Sequence, residues 1–244
     1  MKLNNALKTA LLALSFSATP ALAQQALDEG GFTPSFTDDD LFTYARGEVD
    51  YTSKDDGVLR WDAEGWIGGD YQKLWLVTEG DVEDGDVEEA NLQVLYGRYL
   101  APFWDWRVGL RHDFEPGSLS YAVLGLKGLA PYRFETDASL FLSEDGDLSA
   151  ELEAEYALLL TQKLIAEPYV NLALYAQDVK ERGKGAGLSE IGLGVQLRYE
   201  IRREFAPYVD VGYTRLLGDT ANFAEAAGEN KDEFVVRAGL RFWY

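Results

Sequence analysis

The chain has 244 residues, with 42 Asp and Glu against 22 Lys and Arg, a formal net charge of −20 and no cysteine. That balance excludes nonspecific nucleic-acid binding, which needs a basic surface to release counterions. The missing thiols exclude a disulfide scaffold, an iron–sulfur cluster and a thiolate zinc site.

In chain order, residues 1–23 read as a secretory signal peptide. Lys2 and Lys8 form the positive n-region, an apolar stretch follows, and Ala21-Leu22-Ala23 supplies the small-x-small cleavage site. The apolar run is about ten residues, well short of the ~20 a spanning helix needs. Residues 24–41 then form a short acidic segment containing Asp28, Glu29, Asp38, Asp39 and Asp40.

From Phe42 onward the hydrophobic period is two. Alternation marks 42–52, 58–67, 89–99, 103–113, 132–142, 148–158, 168–176, 190–201, 207–215 and 234–244, and is vaguer over 71–79 and 119–127. Twelve segments of about ten residues have the length of tilted membrane-crossing strands. The predicted fold is therefore all-β, a transmembrane antiparallel up-and-down β-barrel of about twelve strands over residues 42–244.

The breaks near 68–70, 100–102, 128–131, 161–163 and 202–206 are short. Those near 54–57, 80–88, 113–118, 143–147, 177–189 and 216–232 include the longest and most polar stretches. Short turns on one side and longer loops on the other, with an even strand count, place both termini in the periplasm. Four Pro-aromatic pairs (Pro102-Phe103, Pro131-Tyr132, Pro168-Tyr169 and Pro207-Tyr208) each follow a short turn. Strict alternation points Tyr132 outward but Phe103, Tyr169 and Tyr208 inward, so a bulge or a register shift is expected among them.

A soluble sandwich also alternates, but the face opposite the apolar one is charged at period two in Arg46/Glu48/Asp50, Arg60/Asp62/Glu64 and Arg133/Glu135/Asp137. Those charges suit a lumen. In the 148–158 segment, Leu152 and Ala154 should meet lipid while Glu151, Glu153 and Glu155 face inward. A hairpin centred on Asp145 would oppose Asp137 to Glu153 and Glu135 to Glu155. Like charges so placed are unfavourable unless a cation intervenes, and Arg133, Arg107, Arg111, Arg237 and Arg241 are available to neutralise them.

The candidate metal contacts are His112, Asp113, Asp137, Glu151, Glu153 and Glu155. His112 is the only imidazole; alternation turns it outward near the loop end, and Asp113 and Glu115 could join it in a hard or borderline site. No nucleophile elbow, phosphate loop, dinucleotide fingerprint or metalloprotease helix accompanies these residues, so no enzyme is predicted.

Several ordered stretches resemble the copper resistance protein B family: Arg60-Trp61-Asp62-Ala63-Glu64-Gly65-Trp66-Ile67-Gly68-Gly69-Asp70-Tyr71, Val108-Gly109-Leu110-Arg111-His112-Asp113-Phe114, and Leu197-Arg198-Tyr199-Glu200-Ile201-Arg202-Arg203-Glu204-Phe205-Ala206-Pro207-Tyr208-Val209. The terminal Arg241-Phe242-Trp243-Tyr244 adds to them. The resemblance implies an outer-membrane barrel of a copper resistance and homeostasis system, with copper as its ion, outer-membrane lipid around it and periplasmic copper-resistance proteins as partners. Family members typically carry a Met- and His-rich segment before the barrel. Here residues 24–41 hold carboxylates instead, which discriminate poorly among divalent ions. The alternative function is a general small-solute or structural outer-membrane barrel without metal specificity.

Overall fold

The computed structural model describes residues 41–52 and 57–244. The expected signal peptide and acidic segment lie almost entirely outside the described residues. Thirteen strands occur among those described: β1 (Phe42–Thr52), β2 (Val58–Gly68), β3 (Gln72–Glu83), β4 (Asp86–Ala101), β5 (Trp104–Glu115), β6 (Leu119–Ala130), β7 (Phe134–Ser143), β8 (Leu148–Glu155), β9 (Leu158–Leu159), β10 (Leu164–Tyr175), β11 (Gly187–Tyr199), β12 (Phe205–Leu216) and β13 (Asp232–Trp243). Each pairs antiparallel with its neighbours, and β1 pairs with β13, so the sheet closes. Both β8 and β9 pair with β10 in one register, so the wall is crossed twelve times. Closure is what lets a sheet stand in hydrocarbon, since no edge amide is left unpaired.

The break between β8 and β9 has a local cause. Pro168 of β10 faces it, and proline has no N–H to donate to the ladder; only its carbonyl is used, accepting from the Tyr156 amide at 3.1 Å.

The outward face is apolar, with Leu110, Leu124, Leu193, Val236 and Leu240 exposed. A soluble protein would bury such residues, whereas a lipid-facing wall requires them. The Pro-aromatic pairs divide into two kinds. Phe103 and Tyr132 sit in the connecting turns with φ of 71° and 67°, so they fall outside the alternation. Tyr169 and Tyr208 lie within β10 and β12, which begin earlier than the prolines suggest, and both side chains point inward.

Two loops differ from expectation. The break expected over 80–88 is nearly all strand, since β3 and β4 continue to a two-residue turn at Asp84-Gly85, both with positive φ. An Asp-Gly pair suits that tight hairpin turn, and polar strands can pair outside the lipid as well as loop. The region 216–232 instead contains a helix, α1 (Gly218–Ala227), ended by Gly228 in the left-handed conformation.

Candidate functional site: the lumen

The inward positions carry two different fillings. Along β10 to β13 and into β1 and β2 they form a buried ion-pair ladder. Arg241 Nε lies 2.6 Å from Glu48 and its Nη1 donates to Glu167 at 2.9 Å. Arg198 also pairs with Glu167. Gln196 donates to Glu48 at 3.0 Å. The Tyr208 hydroxyl donates to Asp50 at 2.9 Å, and Arg60 reaches the same carboxylate at 3.1 Å. Arg237 and the Tyr169 hydroxyl both donate to Asp210, at 2.9 and 3.3 Å. Charges this well buried are tolerated only because each carboxylate meets a donor.

Along β3 to β7 an apolar cluster fills part of the lumen beside inward polar residues such as Gln93, Arg107 and Asp113. Trp75, Leu95, Leu119, Tyr121, Val123 and Phe141 pack into one cluster, with Trp66 against it. A Cβ at Gly97 would come within 2.6 Å of the Trp75 indole nitrogen, so glycine there makes room for the ring. Cations lie over these rings: Arg107 and Lys127 over Trp75 at 5.5 and 5.4 Å, and Arg111 over Phe141 at 5.3 Å. Their far ends turn to acids, Arg107 pairing with Asp137 and Lys127 with Glu64.

Beside the ladder runs a void of about 490 Å³. Its lining extends from Asn230 and Lys231 near the loop end to Arg46 and Glu155, and includes Asp62, Glu135, Asp137, Glu153 and Asn171. A smaller void of about 60 Å³ lies between Glu64, Glu79, Arg107 and Glu151.

The predicted hairpin register is observed: Asp137 opposes Glu153 and Glu135 opposes Glu155. Asp137 is compensated by Arg107 and by Lys127 at 3.7 Å, and Glu155 by Arg46 at 3.5 Å. Glu151 lies 3.9 Å from Arg111. Glu153, Glu135 and Asp62 have no cation within 4 Å among the described residues, and all three border the larger void. Four of the expected neutralising arginines take part; Arg133 instead occupies an exposed 3₁₀ turn, Pro131–Arg133, with φ of 68°.

His112 and Asp113 are neighbours on β5 and point to opposite faces. Asp113 is buried inward and accepts from Arg111 at 2.7 Å. The His112 ring meets Phe114 edge-on at 4.7 Å, with Nδ1 3.1 Å from Ser120 Oγ and Nε2 3.4 Å from Ser118 Oγ. Among the described residues, no group of three or more His, Asp or Glu is close enough to hold a metal ion. Asp137, Glu151, Glu153 and Glu155 share the lumen; His112 lies on the other side of the wall.

Sequence reasoning missed the inward aromatic cluster. Its trace was the weak alternation over 71–79 and 119–127, where Trp75 and Val77, and Tyr121 and Val123, place apolar side chains on the inner face too.

The family profile described as "Copper resistance protein B precursor (CopB)" matches residues 41–244. Copper resistance protein B of Escherichia coli is 43% identical over 185 residues, covering 75% of this chain and 62% of that protein. A copper resistance protein B homolog of Pseudomonas syringae pv. tomato is 39% identical over 203 residues, covering 82% and 69%. The chain thus spans less than two thirds of the length of the Escherichia coli relative. Among solved structures, the NanC porin superposes with a TM-score of 0.52 at 14% identity, over 82% of this chain and 99% of that one. The KdgM porin does so at 0.50 and 11%, over 81% and 98%. At those identities the likeness is one of fold, and it is to outer-membrane porin barrels.

Proposed function

The chain belongs to the copper resistance protein B family of outer-membrane barrels, and from that premise we propose that it serves copper resistance by binding or passing copper ions in its lumen. Copper is the cargo in this reading, and outer-membrane lipid surrounds the apolar wall. In this reading the ends of β1 and β13 at the short-turn side face the periplasm, where other copper-resistance proteins deliver or receive the ion.

The observation that carries the reading is the unpaired set Glu153, Glu135 and Asp62 around the larger void. Every other acid named in the ladder meets a cation or a hydroxyl, so the uncompensated charge gathers where an ion has room. A passage of one sign concentrates counter-ions and repels anions. Asp137, Glu151, Glu153 and Glu155 then act as successive weak carboxylate contacts, which suits passage: an ion bound too tightly does not leave. Asp113 contributes near the loop end, and His112 could meet copper only from the outer face.

Copper tolerance of a strain lacking this gene tests the reading. Deletion should lower the tolerated copper concentration. The wild-type gene should restore it, and a gene carrying both Asp62→Asn and Glu153→Gln should restore it only in part. Unchanged tolerance on deletion would overturn the reading.

A second reading, a small-solute or structural barrel without metal preference, is favoured by one observation. Copper selectivity needs soft or imidazole ligands, whereas the void is bordered by carboxylates, guanidinium groups and amides. Copper-independent, weakly selective conductance of the purified barrel would support it.

A further inference from the structure

The loop between β10 and β11 does not simply project from the barrel. A bridge between Val179 and Lys184 pins its base, with N–H to O distances of 2.7 and 3.1 Å. The Gly185 amide donates to Thr220 of α1 at 2.8 Å, and Gln177 donates to Asp147 of the β7–β8 connection at 2.9 Å. So held, the short 3₁₀ turn Lys180–Arg182 sends Arg182 over the mouth toward β6 and β5. There its guanidinium lies 5.5 Å over the Tyr121 ring, donates to the Tyr121 hydroxyl and comes within 3.9 Å of Asp113. Tyr121 and Asp113 belong to β6 and β5, with β8 and β7 lying between them and β10 around the ring.

Arg182 differs from the ladder cations in two ways. It is borne by a loop, whereas Arg46, Arg107, Arg111, Arg237 and Arg241 are fixed on strands. Its carboxylate is also not dependent on it, because Arg111 holds the other oxygen of Asp113 at 2.7 Å. Withdrawing Arg182 therefore leaves no buried charge stranded, unlike removal of a ladder arginine. At 3.9 Å, and with Arg182 itself about a third exposed, the pair ranks among weak ones.

We propose that Arg182 is a selectivity-determining residue at the barrel mouth: a loop-borne cation seated on Tyr121 and Asp113, holding the place a passing cation would take. A cation entering on the side of β5 and β6 must displace it from Asp113 to reach Glu151 and the smaller void that Glu151 borders. The proposal rests on the lumen being a cation route, and it sets how readily that route is entered.

Single-channel recording of the full-length barrel in planar bilayers, with potassium chloride as the only carrier, tests it without copper. Arg182→Gln should raise conductance about twofold or more and move the reversal potential toward cation preference; Arg182→Lys should stay near wild type. Tyr121→Phe keeps the ring but removes the hydroxyl that Arg182 donates to, and should shift both readouts the same way by less. It provides a second variant if Arg182→Gln fails to assemble. Unchanged conductance and selectivity in Arg182→Gln and Tyr121→Phe would overturn the proposal, even with a cation-preferring wild type. An anion-preferring wild type together with a conductance rise in Arg182→Gln would keep Arg182 as the mouth determinant and remove the copper route instead.

Discussion

From β3 to β7 the inward positions hold Trp75, Leu95, Val123 and Phe141, whereas from β10 through β13 and into β1 the same ladder positions hold Glu167, Arg198, Asp210, Arg241 and Glu48. Backbone pairing is the same on both sides, so it does not distinguish them. The apolar half is closed by volume: rings and aliphatic groups fill it, and cations lie flat on the ring faces. The charged half is closed only where donors and acceptors pair off, and space remains beside it. The larger void therefore lies on the charged side, along the carboxylates that pairing leaves over.

The largest effect that would break this contrast is loss of a ladder cation. Arg241→Gln leaves Glu48 in the interior with only the Gln196 amide donating to it and takes one of two cations from Glu167, and should cost about 3–5 kcal/mol in urea unfolding from lipid vesicles. A cost as small as an exposed pair's, under about 1 kcal/mol, would mean that the ladder is well solvated. In the packed half, Leu95→Ala should cost about 2–5 kcal/mol by the same measurement, since Leu95 is only 1% exposed and its removal leaves a cavity. A negligible cost would mean that the aromatic half does not depend on close packing.

The next test concerns the wall itself. Leu152 faces lipid between Ala138 and Leu172, and Leu152→Arg should cost about 2–4 kcal/mol. Its neighbour Glu153 faces the void, so Glu153→Gln should be near neutral, or stabilising by about 0.2–1 kcal/mol because it relieves the opposition with Asp137. Should Glu153→Gln prove more damaging than Leu152→Arg, the two faces would be inverted or Glu153 would anchor a bound cation.

Strand number, strand positions and the Asp137–Glu153 pairing were legible because a lipid-facing wall imposes alternation at every second residue, and a tight turn fixes the register on each side. Arg241 and Arg237 could be assigned inward on that pattern. The filling of the lumen could not be read so directly. Where Trp75 and Val77 point inward and Leu74 and Leu76 outward, both faces are apolar and the period disappears, so 71–79 read as a weak strand when it is a strand buried on one side and lipid-facing on the other. Arg182 was illegible for another reason. Its partners Tyr121 and Asp113 lie about sixty and seventy residues earlier in the chain, and only the curled sheet brings them within its reach. The continuation of β3 and β4 past Gly80 was hidden because a Gly- and acid-rich stretch reads as a loop, yet its backbone can pair outside the lipid.

The absence of cysteine allows the division of the lumen to be tested by single-cysteine labelling. Asn171 lines the larger void, and Val123 lies in the packed cluster at 2% exposure. A small cationic thiol reagent added to the assembled barrel should label Asn171→Cys readily and leave Val123→Cys unmodified. Equal labelling of the two, or preferential labelling of Val123→Cys, would contradict an open space confined to the charged side.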